Sequence, residues 1–197
     1  MKIETSRFGE IEIESNKVIT FKDGLPGFDD YSQYILIKAD EIGIMYWLQA
    51  VDEPEIALCL ANSFAVLRDY HPEVTAADIA DLETTDPADI IVLTVLVVPE
   101  DVEKMTGNLM APVLINHAKK IGKQLILADD RYSARYSIFN EIRDALAEYA
   151  TESEHVGVKE TQCAAVQDAE VGGAKNAEGA ELAGGAEKDA CAFAEVE

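Results

Sequence analysis

The chain has 197 residues, of which 48% are hydrophobic, and carries 38 Asp and Glu against 16 Lys and Arg for a formal net charge of −22. The apolar content is that of a folded globular protein. Acidity of this size disfavours direct contact with nucleic-acid phosphates or an anionic membrane, and suits either a basic protein partner or simple solubility.

The chain divides by composition. Residues 1–150 hold nearly all the large apolar side chains, including the single Trp47, with 27 Asp/Glu against 13 Lys/Arg; the last 47 residues hold 11 against 3 and are mostly Ala, Gly, Glu and Lys. The expected organisation is one folded domain over 1–150 and an acidic, Ala/Gly/Glu-rich disordered tail over 151–197, because the tail lacks the apolar side chains needed to offset its chain entropy.

Met1-Lys2-Ile3-Glu4-Thr5 has no apolar stretch of the kind a secretory leader needs, so none is expected. Glu10-Ile11-Glu12-Ile13-Glu14 alternates with period two and predicts a half-buried strand. Further strands are predicted at 18–21, 34–37, 44–51 and 57–60, punctuated by Gly43 and by Asp52-Glu53-Pro54. A short helix is expected behind Thr75-Ala76-Ala77-Asp78, which matches a capping box with Ile79 and Leu82 on one face. Residues 90–98 are rich in β-branched side chains and read as a strand covered on both faces. At nine residues, broken by Thr94, this longest apolar run is well short of the roughly 20 that span a membrane. Strands at 109–115 and 124–127 follow; Pro112 makes the former an edge strand or one carrying a bulge. A second helix is expected from about 137 to 150, where Phe139, Ile142, Leu146 and Tyr149 form one stripe. The fold class is therefore mainly β: a small closed or pseudo-barrel of about eight short strands with two short helices, since closure protects strand edges. No heptad or surplus apolar helix calls for a dimer, so a free monomer is expected.

Cys59, Cys163 and Cys191 have neither metal-like nor redox spacing, which points to a reduced cytoplasmic compartment. There is no phosphate-binding Gly-rich loop and no nucleophile elbow. His71, His117 and His155 lie outside metal-ligand spacing of one another and of the cysteines. Neither a metal nor a cofactor is expected. The pairs Asp29-Asp30 and Asp129-Asp130 read as solvated turns. A catalytic alternative is a small-molecule-binding or hydrolytic barrel that brings His117 to Asp129 or Asp130 in a concave pocket. Lys119, Lys120 and Lys123 form the one local basic cluster. No aromatic ladder accompanies them, so they read as a solvated loop or turn, with no direct nucleic-acid binding.

Two segments offer aromatics. In Asp23-Gly24-Leu25-Pro26-Gly27-Phe28, Pro26 and Gly27 suit the two central positions of a type II turn. That turn either buries Phe28 or presents Phe28 or Tyr31 to a partner. In Tyr46-Trp47-Leu48-Gln49, alternation sends Tyr46 and Leu48 to one face and Trp47 and Gln49 to the other, leaving one aromatic for an interface.

Four blocks in series resemble one family: Gly-Leu-Pro-Gly-Phe at 24–28, YWLQAVDEPEIAL at 46–58, NLMAPVLINHAKKIGKQLIL at 108–127 with its Asn-Leu-x-Ala-Pro segment and Gly-x-Gln strand, and DDRYSARYSI at 129–138. They are similar to the flagellar assembly factor FliW family over about residues 2–140. Leu25 replaces a commoner Ile, and the residues beyond about 150 have no counterpart in the family pattern. The resemblance implies a cytoplasmic, non-enzymatic module that binds flagellin before export and, once flagellin has left the cell, captures the carbon storage regulator CsrA. Capture relieves repression of flagellin translation, and an acidic protein docked beside the basic surface of CsrA implies non-competitive antagonism. A flagellin chaperone without a CsrA partner is the narrower alternative. Flagellin's amphipathic ends call for an exposed apolar surface; the candidates are Phe28, Tyr31, Trp47, Leu109 and Pro112.

Overall fold

The computed structural model describes residues 1–155. In chain order its elements are β1 (Lys2–Thr5), β2 (Gly9–Glu12), β3 (Ile19–Phe21), β4 (Gln33–Lys38), β5 (Met45–Ala50), β6 (Ala57–Asn62), α1 (Ser63–Val66), α2 (Ala76–Ile79), β7 (Ile90–Val97), β8 (Thr106–Asn116), β9 (Ile121–Gln124), β10 (Tyr136–Ser137) and α3 (Phe139–His155). Strands β3 to β9 pair in sequence order, and β9 pairs with both β8 and β3, so these seven strands close into a barrel. Every pairing is antiparallel except the β3–β9 seam, which is parallel with Thr20 opposite Ile121 and Phe21 opposite Gly122. β10 adds to the first residues of β8, and β1 with β2 forms a separate hairpin.

The inner face follows from the register. Tyr34 faces Ala50, Leu36 faces Leu48, Tyr46 faces Leu60, Leu93 faces Val113 and Gly122 faces both Ile115 and Phe21. These side chains, with Ile19 and Leu25, make one continuous core that fills the barrel. Phe21 and Tyr34 meet edge to face at 5.2 Å inside it. Gly122 is required here: a Cβ on it would come within 2.5–2.9 Å of three atoms of the Phe21 ring.

Three outer layers cover the barrel. The β1–β2 hairpin lays Ile3, Ile11 and Ile13 over Ile35 and Val51, with the glutamates of β2 exposed, as period-two alternation requires. Helix α3 packs Ile142 and Ala145 against Cys59, Ala61 and Leu96. The third layer sets Tyr70, Ile79, Leu82 and Leu127 against Val92 and Leu114. β7 is thus covered on both faces.

Among the described residues ten strands are present where about eight were expected; β1 and the two-residue β10 are the additions, and the strand expected at 124–127 lies instead at Ile121–Gln124. Thr75 does cap α2 by a full capping box, but α2 is a single turn followed by a 3-10 turn at Ala80–Leu82. Pro112 lies inside the closed barrel on β8, not at an edge. The ladder with β7 jumps from Leu93–Val113 to Val95–Asn108, so residues 109–112 form the bulge. α3 continues through 151–155, past the expected boundary at 150, because neither Gly nor Pro stops it there. The tail reading beyond 155 lies outside the described residues.

Two outcomes test this packing. Gly122→Ala is expected to lower unfolding stability by about 1–3 kcal/mol, from overpacking against Phe21, read as a shift of the urea midpoint. Burial pushes the Tyr34 hydroxyl up to about 12 from 10. Its contribution to stability is therefore fully present below about pH 10 and lost as pH rises through about 12. Urea midpoints measured from pH 8 to 12 should fall only above about pH 10.

Candidate functional site

The bulge of β8 builds the most distinctive surface. All four of its carbonyls are held: Leu109 O accepts from the Tyr70 hydroxyl at 2.8 Å, Met110 O from Leu127 N at 2.8 Å, Ala111 O from Gln124 Nε2 at 2.8 Å and Pro112 O from Leu125 N at 2.9 Å. Leu109 N donates to Ser133 O at 3.0 Å, and Ala111 N donates to the Asn108 side-chain oxygen at 3.0 Å. Pro112 has no N–H to leave unpaired, which suits it to a position outside the β7 ladder. Asn108, Pro112, Gly122 and Gln124 thus have separate physical jobs: a cap, a donor-free corner, room for Phe21 and a clamp.

Within β8 from Leu109 to Asn116, Met110 is the one exposed residue. Ile126 is 68% exposed and Phe64 of α1 53% exposed; Leu127 lies opposite Met110 and Ile126 opposite Ala111. The buried Tyr70 ring sits 6.3 Å from Phe64 and 4.8 Å, edge to face, from Tyr132. The Tyr132 hydroxyl accepts from His71 N at 3.0 Å, and the Arg131 guanidinium lies 5.4 Å over its ring. Burial raises the Tyr70 pKa above the ordinary phenolic value. Asp69, Glu73 and Asp130, close in sequence to Tyr70 and Tyr132, are exposed. The Asp129 carboxylate accepts from Arg131 Nε at 2.9 Å, and that hydrogen bond lowers its pKa. The arrangement is a backbone frame held by hydrogen bonds, with the exposed Phe64 joined to it through Tyr70 and with Met110 exposed on the bulge itself.

The sequence-derived candidates fall in different places. Leu109 and Pro112 are buried and offer no side chain to a partner. The bulge leaves Met110 exposed and both of them covered, Leu109 in the layer that holds Tyr70 and Leu82. Pro26-Gly27 does form a turn, with Phe28 N donating to Leu25 O at 2.7 Å and Gly27 at φ 84. Phe28 and Tyr31 are half-buried against the barrel core, which Leu25 enters fully. Trp47 is half-buried under the β1–β2 hairpin, with the Arg7 guanidinium 4.0 Å over its ring and Phe8 at 6.4 Å. The candidates therefore do not form one site. Phe64, Met110 and Ile126 escape sequence reading because each sits among core residues. The one available signal is that Met110 fills the variable position inside Asn-Leu-x-Ala-Pro.

The catalytic alternative finds no assembly among the described residues. His117 Nδ1 pairs with the Asp89 backbone oxygen at 3.1 Å, while Asp129 is held by Arg131. No hydrogen bond joins His117 to either carboxylate, and no group of three His, Cys, Asp or Glu is placed to hold a metal ion among the described residues. No helix among them is long and apolar enough to cross a membrane.

Removing the Tyr70 hydroxyl by Tyr70→Phe leaves Leu109 O without its partner. A loss of roughly 1–3 kcal/mol in unfolding free energy is expected, measured by urea titration against the wild type.

Comparison with known proteins agrees with this geometry. The FliW protein family model matches residues 2–138. The flagellar assembly factor FliW of Alkaliphilus metalliredigens is 41% identical over 144 residues, covering 73% of this chain and 89% of that protein. Its counterpart from Caldicellulosiruptor saccharolyticus is 36% identical over 135 residues, covering 68% and 88%. A crystal structure of the flagellar assembly factor FliW superposes with a TM-score of 0.65 at 29% identity, covering 71% of this chain and 97% of that one. With the matched span taking in the barrel and the bulge of β8, the chain belongs to the FliW family of flagellar assembly factors.

Proposed function

We propose that the protein is a cytoplasmic, non-enzymatic regulator that binds flagellin and, when flagellin is depleted by secretion, sequesters the translational repressor CsrA. The observation that carries this reading is the pairing of a filled interior with exposed apolar side chains outside, Met110 on the bulge among them. Phe21, Tyr34, Leu48, Leu60, Leu93 and Val113 are all fully buried within the barrel, which leaves the outer surface as the working part. Phe64 and Met110, with Ile126 on the neighbouring segment, are the proposed apolar anchors for an amphipathic segment of flagellin. The bulge is pre-organised by its hydrogen bonds, which reduces the ordering cost of binding. Met110 adds the adaptability of an unbranched thioether.

The acidity supports the CsrA half of the proposal. Residues 1–150 carry a net charge of −14. Docked beside a basic RNA-binding surface, that charge opposes RNA phosphates without occupying the base-contacting site. This is antagonism of the non-competitive kind, and it weakens as salt screens the field.

Calorimetric titration of the full chain with purified flagellin and with purified CsrA tests the proposal. Both are expected to bind. The double variant Met110→Asp/Ile126→Asp is expected to lose at least tenfold in flagellin affinity, about 1.4 kcal/mol, while keeping the wild-type urea midpoint. Folded wild-type protein that binds neither partner would sink the proposal.

A further inference from the structure

The parallel seam that closes the barrel gathers basic residues in a chain that is otherwise strongly acidic. Lys17 ends the 3-10 turn that leads into β3. Lys22 directly follows Phe21, and Lys123 directly follows Gly122, so the two occupy neighbouring positions one step beyond the last paired residues of the seam. Lys119 and Lys120 close the turn from β8 to β9. That turn is locked by the Asn116 side chain, whose oxygen accepts from Ala118 N and Lys119 N at 3.0 Å each. Thr20 N donates to Lys120 O at 2.9 Å, which ties the turn to β3. Five of the 13 basic residues in 1–150 therefore line one seam.

Neutralisation along the seam is incomplete. Lys17 pairs with Glu14 at 3.6 Å and Lys123 with Asp81 at 3.1 Å. Among the described residues, Lys22, Lys119 and Lys120 have no carboxylate partner within ion-pair distance. Lys120 is part-buried, and its pKa is lowered by burial and by the like charge of Lys17. Lys120 also sits at φ 56, in the left-handed region. The tie from its carbonyl to Thr20 holds it at the seam despite the repulsion.

We propose that this lysine seam is a docking surface for an acidic polypeptide, and that its occupant is the protein's own C-terminal segment, residues 156–197. Charge complementarity favours this occupant: the segment carries nine Asp/Glu against three Lys. Reach permits it, since 42 residues of chain extend at most roughly 140 Å. Tethering assists it, because a covalently joined segment meets the seam at an effective concentration on the order of millimolar. A contact too weak to form between separate molecules is then populated. Nucleic acid fits less well, because a phosphate on every nucleotide would also meet the field of the 27 carboxylates of the domain. The segment sets its nine carboxylates among 33 other residues. The consequence is a self-occupied basic surface, open to a more acidic competitor. This holds whether or not the flagellin and CsrA proposal stands.

The test uses the full chain with Cys163→Ser and a nitroxide on Cys191; Cys59 is buried. Relaxation enhancement of backbone amides is read by NMR. Selective broadening is expected at residues 17–22 and 118–123, to be lost in 0.5 M salt and in Lys22→Glu/Lys119→Glu. Because both lysines are exposed, the rest of the variant's spectrum should be unchanged. Absent or evenly spread broadening, or broadening that survives the charge reversal, would overturn the proposal. So would a short single-stranded RNA that binds the seam of the wild-type chain while the label causes no broadening there.

Discussion

The structure depends on how β8 satisfies its backbone. An eleven-residue strand in a closed barrel must pair on both sides, yet its neighbours change along its length: β10 at Thr106 and Gly107, β9 from Val113 to Asn116. Four residues leave the β7 ladder at the handover. Unpaired polar backbone in a buried strand costs on the order of 1–3 kcal/mol per group. Tyr70, Gln124 and the 125–127 segment supply the missing donors to all four carbonyls. The same device resets the phase of the strand, so that Val113 and Ile115 reach the inner core while Met110 faces solvent. Barrel closure and the exposure of Met110 are one solution to one hydrogen-bonding problem.

Much of the architecture was legible in the residues. Alternating Ile and Glu in 10–14, the β-branched run at 90–98, the Pro-Gly turn and the Thr75–Asp78 capping box all have local causes, and each appears where those causes put it. The conflict at Pro112 was visible too, as the choice between an edge and a bulge; topology decided it, and topology is non-local. β1 stayed hidden because a four-residue strand with two buried side chains, Ile3 and Thr5, gives too short a pattern. β10, at two residues, gives none.

The site was less legible than the fold. Leu109 and Pro112, named as apolar anchors, are both buried at the bulge. Trp47 was named as a partner candidate on β5, with the outward aromatic of Tyr46 and Trp47 left open, and the β1–β2 hairpin that lies over it was only half foreseen. Tyr70 and Tyr132 meet across 61 residues of chain, through a hydrogen bond between the Tyr132 hydroxyl and His71 N. Only the fold brings them together. Of the blocks that carry the family resemblance, 108–127 spans β8 and β9 and so closes the barrel, 46–58 lies in β5 and β6, and 129–138 ends in β10 beside it, so they report the scaffold directly and the binding surface only through it.

The surface itself is sorted by charge and polarity. Met110 is exposed on the bulge, and lysines line the closing seam, on a body whose net charge is strongly negative. An exposed apolar side chain and a basic seam on one small barrel are compatible with two kinds of partner. Hydrogen exchange of the full chain with and without flagellin tests most directly whether the bulge face is where the protein works. Added protection at 63–72, 108–112 and 125–132, with the inner strands β4 and β5 unchanged, is the expected result. Protection confined to the lysine seam or to the β1–β2 hairpin would contradict it.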